Sequence, residues 1–195
     1  MKTIVAVTFF GILTYAFADT LKYGGSSCQQ VTGMVGFDAA KFFSSSWSLS
    51  HSTRSKRVTV STICRDYKLS TKSDGTLQAT YGYYENSGKK NHYDIHCNGT
   101  KNATRPDQYD FDCYLTNERG EKTHTHIQPF FIATDYEKYC LLYRCVQSEA
   151  QFEDNVFILY RQTIPSDDEV TTLLKPYGLT LDDFISRKDA TCINK

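Results

Sequence analysis

Eight short runs rich in β-branched and aromatic residues follow one another along this chain, each ended by turn residues. They cover residues 47–52, 58–69, 76–84, 91–97, 109–115, 123–133, 139–146 and 156–162. Such side chains fit the half-buried pleated surface of a sheet, and Gly, Asn, Asp and Ser supply the turns between strands. The breaks include Ser73-Asp74-Gly75, Glu85-Asn86-Ser87-Gly88, Asn117-Glu118-Arg119-Gly120 and Thr134-Asp135. Eight successive strands with tight turns predict an all-β, up-and-down antiparallel barrel, which removes open sheet edges by closing on itself. A two-sheet sandwich is the competing architecture, and it needs longer crossing connections.

The pattern changes after residue 165. Ser166-Asp167-Asp168-Glu169 is a capping box, Val170, Leu173 and Leu174 supply an apolar stripe, and Pro176 and Gly178 end the segment. One short C-terminal helix against the outside of the barrel follows, and residues 180–185 read as a second helical turn.

The first residues set the compartment. Lys2 precedes the apolar stretch 4–13, and Ala16-Phe17-Ala18 is a small-x-small cleavage site. Residues 1–18 are read as a signal peptide and 19–195 as one secreted domain, with no membrane anchor. The 22 basic and 22 acidic residues balance, and cleavage removes only Lys2 from that balance. A neutral chain lacks the basic face that phosphates require, so no nucleic-acid partner is expected. With 14 Tyr and 12 Phe, the chain is also unlike a disordered segment. All seven cysteines lie beyond the cleavage site, and an odd number in an oxidising compartment leaves one thiol over. Asn98-Gly99-Thr100 and Asn102-Ala103-Thr104 are glycosylation sequons, both assigned to one polar loop.

Several segments resemble lipocalins. Gly36-Phe37-Asp38-Ala39-Ala40-Lys41-Phe42-Phe43 followed by Trp47 is similar to their opening motif, and Thr134-Asp135-Tyr136 to their second. Arg161 sits where many lipocalins set an Arg against that Trp. The Gly usual two residues before the Trp is Ser45 here. A closer resemblance is to the salivary lipocalins of blood-feeding triatomine bugs, the triabin, pallidipin and nitrophorin group. It is carried by Cys64-Arg65-Asp66-Tyr67, Ala133-Thr134-Asp135-Tyr136-Glu137-Lys138-Tyr139, Arg144-Cys145, and Asp183-Phe184-Ile185-Ser186 with Cys192. This resemblance spans essentially the whole chain. It implies disulfides Cys28–Cys145, Cys64–Cys192 and Cys97–Cys113, each worth about 2–4 kcal/mol. Cys140 is then the odd thiol, read as a small buried hydrophobe.

No catalytic constellation is present: there is no G-x-S-x-G, H-E-x-x-H, C-x-x-C or phosphate-binding glycine loop. The protein is therefore not expected to be an enzyme. His92 with His96, and His124 with His126, share strand faces and invite a metal, but no further donor completes a shell, so no metal site is expected. Nitrophorins bind haem through a His on the third strand. The position matching it here is Gly82, which offers no ligand, so no cofactor is expected.

What remains is a cavity for one small ligand. Alternation along the strands, anchored by alignment to the nitrophorin pocket, assigns an inward face to Leu49, His51, Gln78, Thr80, Tyr84, His92, Asp94, His126, Gln128, Phe130, Leu142, Arg144, Val156 and Ile158. A one-residue slip would reverse each strand's set. A buried guanidinium needs a partner. Arg144 either pairs with Asp94 or stands ready for an anion. The resemblance implies a monomeric salivary protein that sequesters a small host mediator, with a cysteinyl leukotriene or thromboxane first among ligands. ADP, biogenic amines, and surface inhibition of a clotting protease are the competing readings.

Overall fold

The computed structural model describes residues 20–86, 90–148, 151–161 and 164–192. The signal peptide assigned to residues 1–18 lies outside the described residues. Eight strands form the barrel: β1 (Trp47–Thr53), β2 (Asp66–Thr71), β3 (Leu77–Asn86), β4 (Lys90–Lys101), β5 (Tyr109–Asn117), β6 (Lys122–Thr134), β7 (Tyr139–Ser148) and β8 (Gln151–Tyr160). Each pairs antiparallel with the next, and β1 pairs with both β2 and β8. That closure is the expected lipocalin meander. A ninth strand, β9 (Phe184–Ser186), adds to the far end of β1, pairing with residues 51–53.

Two expectations about elements need correction, and a third holds in part. The run 58–69 is not one strand, because residues 54–65 leave the sheet and β2 begins at Asp66. Hydroxyls there offer the backbone a local alternative to the ladder: Val58 N–H donates to Ser55 Oγ, and Thr59 N–H to Thr62 Oγ1. Residues 180–185 form a 3₁₀ turn over Leu181–Asp183 that runs into β9. The sequons do not share a loop: Asn98 lies within β4, and only Asn102 lies beyond its end.

A short helix, α1 (Ala39–Phe42), crosses one end of the barrel and is capped by Asp38. Phe42 stacks on Trp47 at 4.9 Å, and Trp47 Nε1 donates to the Phe42 carbonyl. The Arg161 guanidinium lies 4.4 Å from the Trp47 ring, as the resemblance implies. That end is therefore shut by aromatic packing. A second apolar core lies outside the barrel, beneath α2 (Asp167–Leu174) and the N-terminal arm. There Val170 and Leu174 pack with Leu141, Tyr143, Val156 and Ile158. The capping box at Ser166 and Glu169 forms as predicted.

The bridges join Cys28 to Cys145, Cys64 to Cys192 and Cys97 to Cys113, the pairings that the resemblance implies. The first ties the N-terminal arm to β7, where Gln29 N–H also donates to the Tyr143 hydroxyl at 2.8 Å. The third joins direct register partners on β4 and β5. Cys140 is free and buried.

Candidate binding site inside the barrel

The interior face is built from alternate residues of β2 to β8. Tyr67 and Leu69, Ala79 and Tyr81, Cys97, Phe111 and Cys113, Ile127, Pro129 and Phe131, Leu142 and Arg144, and Phe157 and Leu159 line one cavity, together with Phe42 and Phe43. Leu142 and Arg144 lie on the expected face, and Leu49 fills the same core. Gln78, Thr80, Tyr84, His92, Asp94, His126, Gln128, Phe130, Val156 and Ile158 do not. Each is one residue out of step with the lining set, and side chains in a strand alternate between faces. The Cβ that Gly82 lacks would meet the His92 ring, so Gly82 also belongs to the outer face.

His51 is turned outward for a separate reason. The β1–β8 register shifts between Leu49 and His51, leaving Ser50 as the extra residue of a bulge. Leu49 pairs with inward-facing Leu159, whereas His51 pairs with outward-facing Ile158. His51 is consequently buried in the seam near Asp167, Lys188 and Asp189.

The cavity is small and almost wholly apolar, with about 90 Å³ of free space. Its polar end is cationic. Arg144 Nη2 donates to Asn155 Oδ1 at 2.9 Å and lies 3.7 Å from Glu153 Oε1. Its guanidinium carbon sits 4.5 Å from the Phe157 ring, and its buried Nε has no hydrogen-bond partner among the described residues. The expected alternative partner, Asp94, is on the outer face of β4, with His92 Nδ1 at 3.6 Å. Arg65 is a second buried guanidinium, donating through Nε to the Thr62 carbonyl and through Nη2 to the Arg57 carbonyl. It lies 4.4 Å from the Tyr83 ring. Burial and the positive charge of Arg65 both pull the Arg144 pKa down. Burial pulls Arg65 down too, but Tyr67, Tyr81 and Tyr83 hold it above its ordinary value. Burial pushes Tyr67 up to about 12, so it stays a neutral hydroxyl. Arg144 thus faces one carboxylate, Glu153, and feels the positive charge of Arg65.

Residues 54–64 fold over that end. Val58 and Ile63 are fully buried in the interior core and close the mouth. Glu153 fastens the loop: its Oε1 accepts from Ser55 Oγ at 2.9 Å, and its Oε2 from Arg57 N–H at 3.1 Å. The mouth loop and Arg144 therefore share one carboxylate.

The histidines do not converge. His124 Nε2 and His126 Nδ1 both approach Asp112 Oδ1, at 3.2 and 3.3 Å, on the outer face of β6. Among the described residues, no group of three or more His, Cys, Asp or Glu is placed to hold a metal ion. No helix there is long and apolar enough to cross a membrane.

Residues 19–172 match the family described as Triabin. Pallidipin from Meccus pallidipennis is 33% identical across 100% of this chain and 99% of its own. A solved complex of a relative with leukotriene C4 is 28% identical, with TM-score 0.53 over 76% of this chain and 87% of that one. The tryptamine complex of the amine-binding protein of Rhodnius prolixus shares the fold, with TM-score 0.67, 19% identity, and coverage of 85% of this chain and 90% of that one.

Proposed function

Because the chain belongs to the triabin family of lipocalins, we propose that it captures a small anionic host mediator in its barrel, with a cysteinyl leukotriene or thromboxane as the favoured class. Secreted in saliva, it would hold that mediator stoichiometrically and so lower platelet aggregation and vasoconstriction. One observation carries this reading: the cavity has apolar walls and a cationic end, where the buried Arg144 Nε has no partner among the described residues. An apolar lumen takes an acyl chain, and a guanidinium takes a carboxylate through two hydrogen bonds. The same charge disfavours an amine in the lumen.

The free space is well below the roughly 300–1,000 Å³ of sites for drug-sized ligands. Binding then requires the mouth loop to lift and the Phe111 and Phe131 rings to turn aside. The test is calorimetry of the secreted protein against leukotriene C4, a stable thromboxane mimic, ADP and serotonin. Heat is expected with an eicosanoid, and Arg144→Ala should weaken it at least tenfold, since a charged hydrogen bond contributes about 1.5–3 kcal/mol. Absence of heat with either eicosanoid rejects the reading. A prolonged thrombin clotting time without added small molecule would favour protease inhibition instead.

A further inference from the structure

A second concavity, of about 580 Å³, lies outside the barrel between the β6–β7 turn, the paired ends of β7 and β8, and α2. Its volume falls in the range of small-molecule sites. Three phenol rings wall it. Tyr139 and Tyr160 are register partners across β7 and β8, and Tyr177 comes from the 3₁₀ turn after α2. Leu173 and Pro176 add apolar surface.

The charge on these walls is unbalanced. Asp135, Asp168 and Glu169 line the groove against one cation, Lys138. Two of the carboxylates are committed. Glu169 is bonded to Lys138 and to the Ser166 cap. Asp135 Oδ1 accepts the backbone N–H groups of Glu137, Lys138 and Tyr139. The Asp168 carboxylate has no hydrogen bond or ion pair with any other described residue, and it is exposed. Tyr160 is only 4% exposed, lines the groove, and has no hydroxyl partner among the described residues. Burial, Glu169 and Asp135 together push its pKa up to about 12. Burial penalises a charge of either sign, but the share of the shift due to Glu169 and Asp135 is a negative field that favours a cation at the same place.

We propose that this groove is a second ligand site, for a small organic ammonium ion with an apolar body. The ammonium would sit against the Asp168 carboxylate and the Tyr160 hydroxyl, with the tyrosine faces adding cation–π attraction. Acidic ligands are repelled by the carboxylates, and a bare metal ion is poorly served by neutral phenols. The site is separate from the barrel lumen, whose Arg144 guanidinium repels this ligand class.

Phenethylamine and the uncharged 2-phenylethanol are suitable probes, titrated into the secreted protein by calorimetry. The amine should bind and the alcohol should not. Asp168→Asn, at an exposed position, and Tyr177→Ala, at a half-buried one, should each weaken the amine about fivefold or more, as expected for an interaction of about 1 kcal/mol. Arg144→Ala should leave it unchanged. Ring-proton shifts of Tyr139 and Tyr177 on adding phenethylamine would support this location. Equal binding of both probes, no binding of either, indifference to both groove variants, or loss in Arg144→Ala would each overturn the proposal. None of these outcomes depends on whether an eicosanoid binds in the barrel.

Discussion

Gly99 and Phe111 face one another across β4 and β5 so closely that a Cβ on Gly99 would lie 2.4 Å from the Phe111 ring. The ring lies against bare backbone, and it also forms part of the cavity wall. Gly99→Ala must push the ring away. Overpacking of this kind costs roughly 1–3 kcal/mol. A lower melting temperature and weaker eicosanoid binding are expected, read by calorimetry on the variant. Unchanged stability would mean that the ring has somewhere else to go.

Glu153 bonds the mouth loop and lies beside Arg144. A ligand carboxylate would have to compete with it for the guanidinium. Glu153→Gln removes that competing charge and weakens the fastening of Ser55 and Arg57. The variant should bind anionic ligand several-fold more tightly and associate faster, at a stability cost of about 1–3 kcal/mol from the weakened hydrogen bonds. Stopped-flow binding with thermal melts checks both halves, and weaker binding would refute the competition.

His51 gives a pH dependence. Burial lowers its pKa from 6.5 to about 4; Asp167 and Asp189 act upward and Lys188 downward. Between those pH values the unfolded chain takes up a proton that the folded chain refuses. The contribution is therefore complete above about pH 6.5 and is lost as the pH falls toward 4, by on the order of 2–3 kcal/mol. Urea unfolding at pH 7 and pH 4.5 should show a smaller loss for His51→Gln than for the parent. An identical loss in both would assign the acid sensitivity to carboxylates.

Cys140 should be silent until the protein unfolds. Burial raises its thiol pKa well above the ordinary value, and the side chain is fully enclosed. Thiol titration should find none in the native protein and one after denaturation without reductant. Reaction of a thiol in the native protein would place Cys140 at a surface.

Strand order, closure, the capped helix and the cysteine pattern were legible in the residues, because each depends on local chemistry or resemblance. The facing of the strands was harder. Ala79 and Tyr81, Ile95 and Cys97, and Ile127 and Phe131 are more apolar than the Gln78, Thr80, His92, Asp94, His126 and Gln128 that alternate with them. Hydropathy alone therefore carries the correct parity on β3, β4 and β6; anchoring the alternation by alignment to the nitrophorin pocket reverses it. On β8 no such signal exists. Val156 and Ile158 are as buried as Phe157 and Leu159, because α2 covers the outer face. Phe130 is apolar for a similar reason, packing in the outer core with Val31. The bulge at Ser50 that reorients His51 depends on strand register, which the residues of β1 do not encode by themselves.

The bond from Cys64 to Cys192 has a meaning beyond stability. It pins one foot of the mouth loop to the C-terminal tail, while pairing with β9 and the Val156 N–H bond to Thr53 Oγ1 hold the other foot at Thr53. Under the proposed function, the arc between them would act as a shutter on a fixed housing. Substitutions within that arc would then alter what is admitted while the walls and staples stay unchanged, so selectivity and durability would reside in separable parts of one small protein.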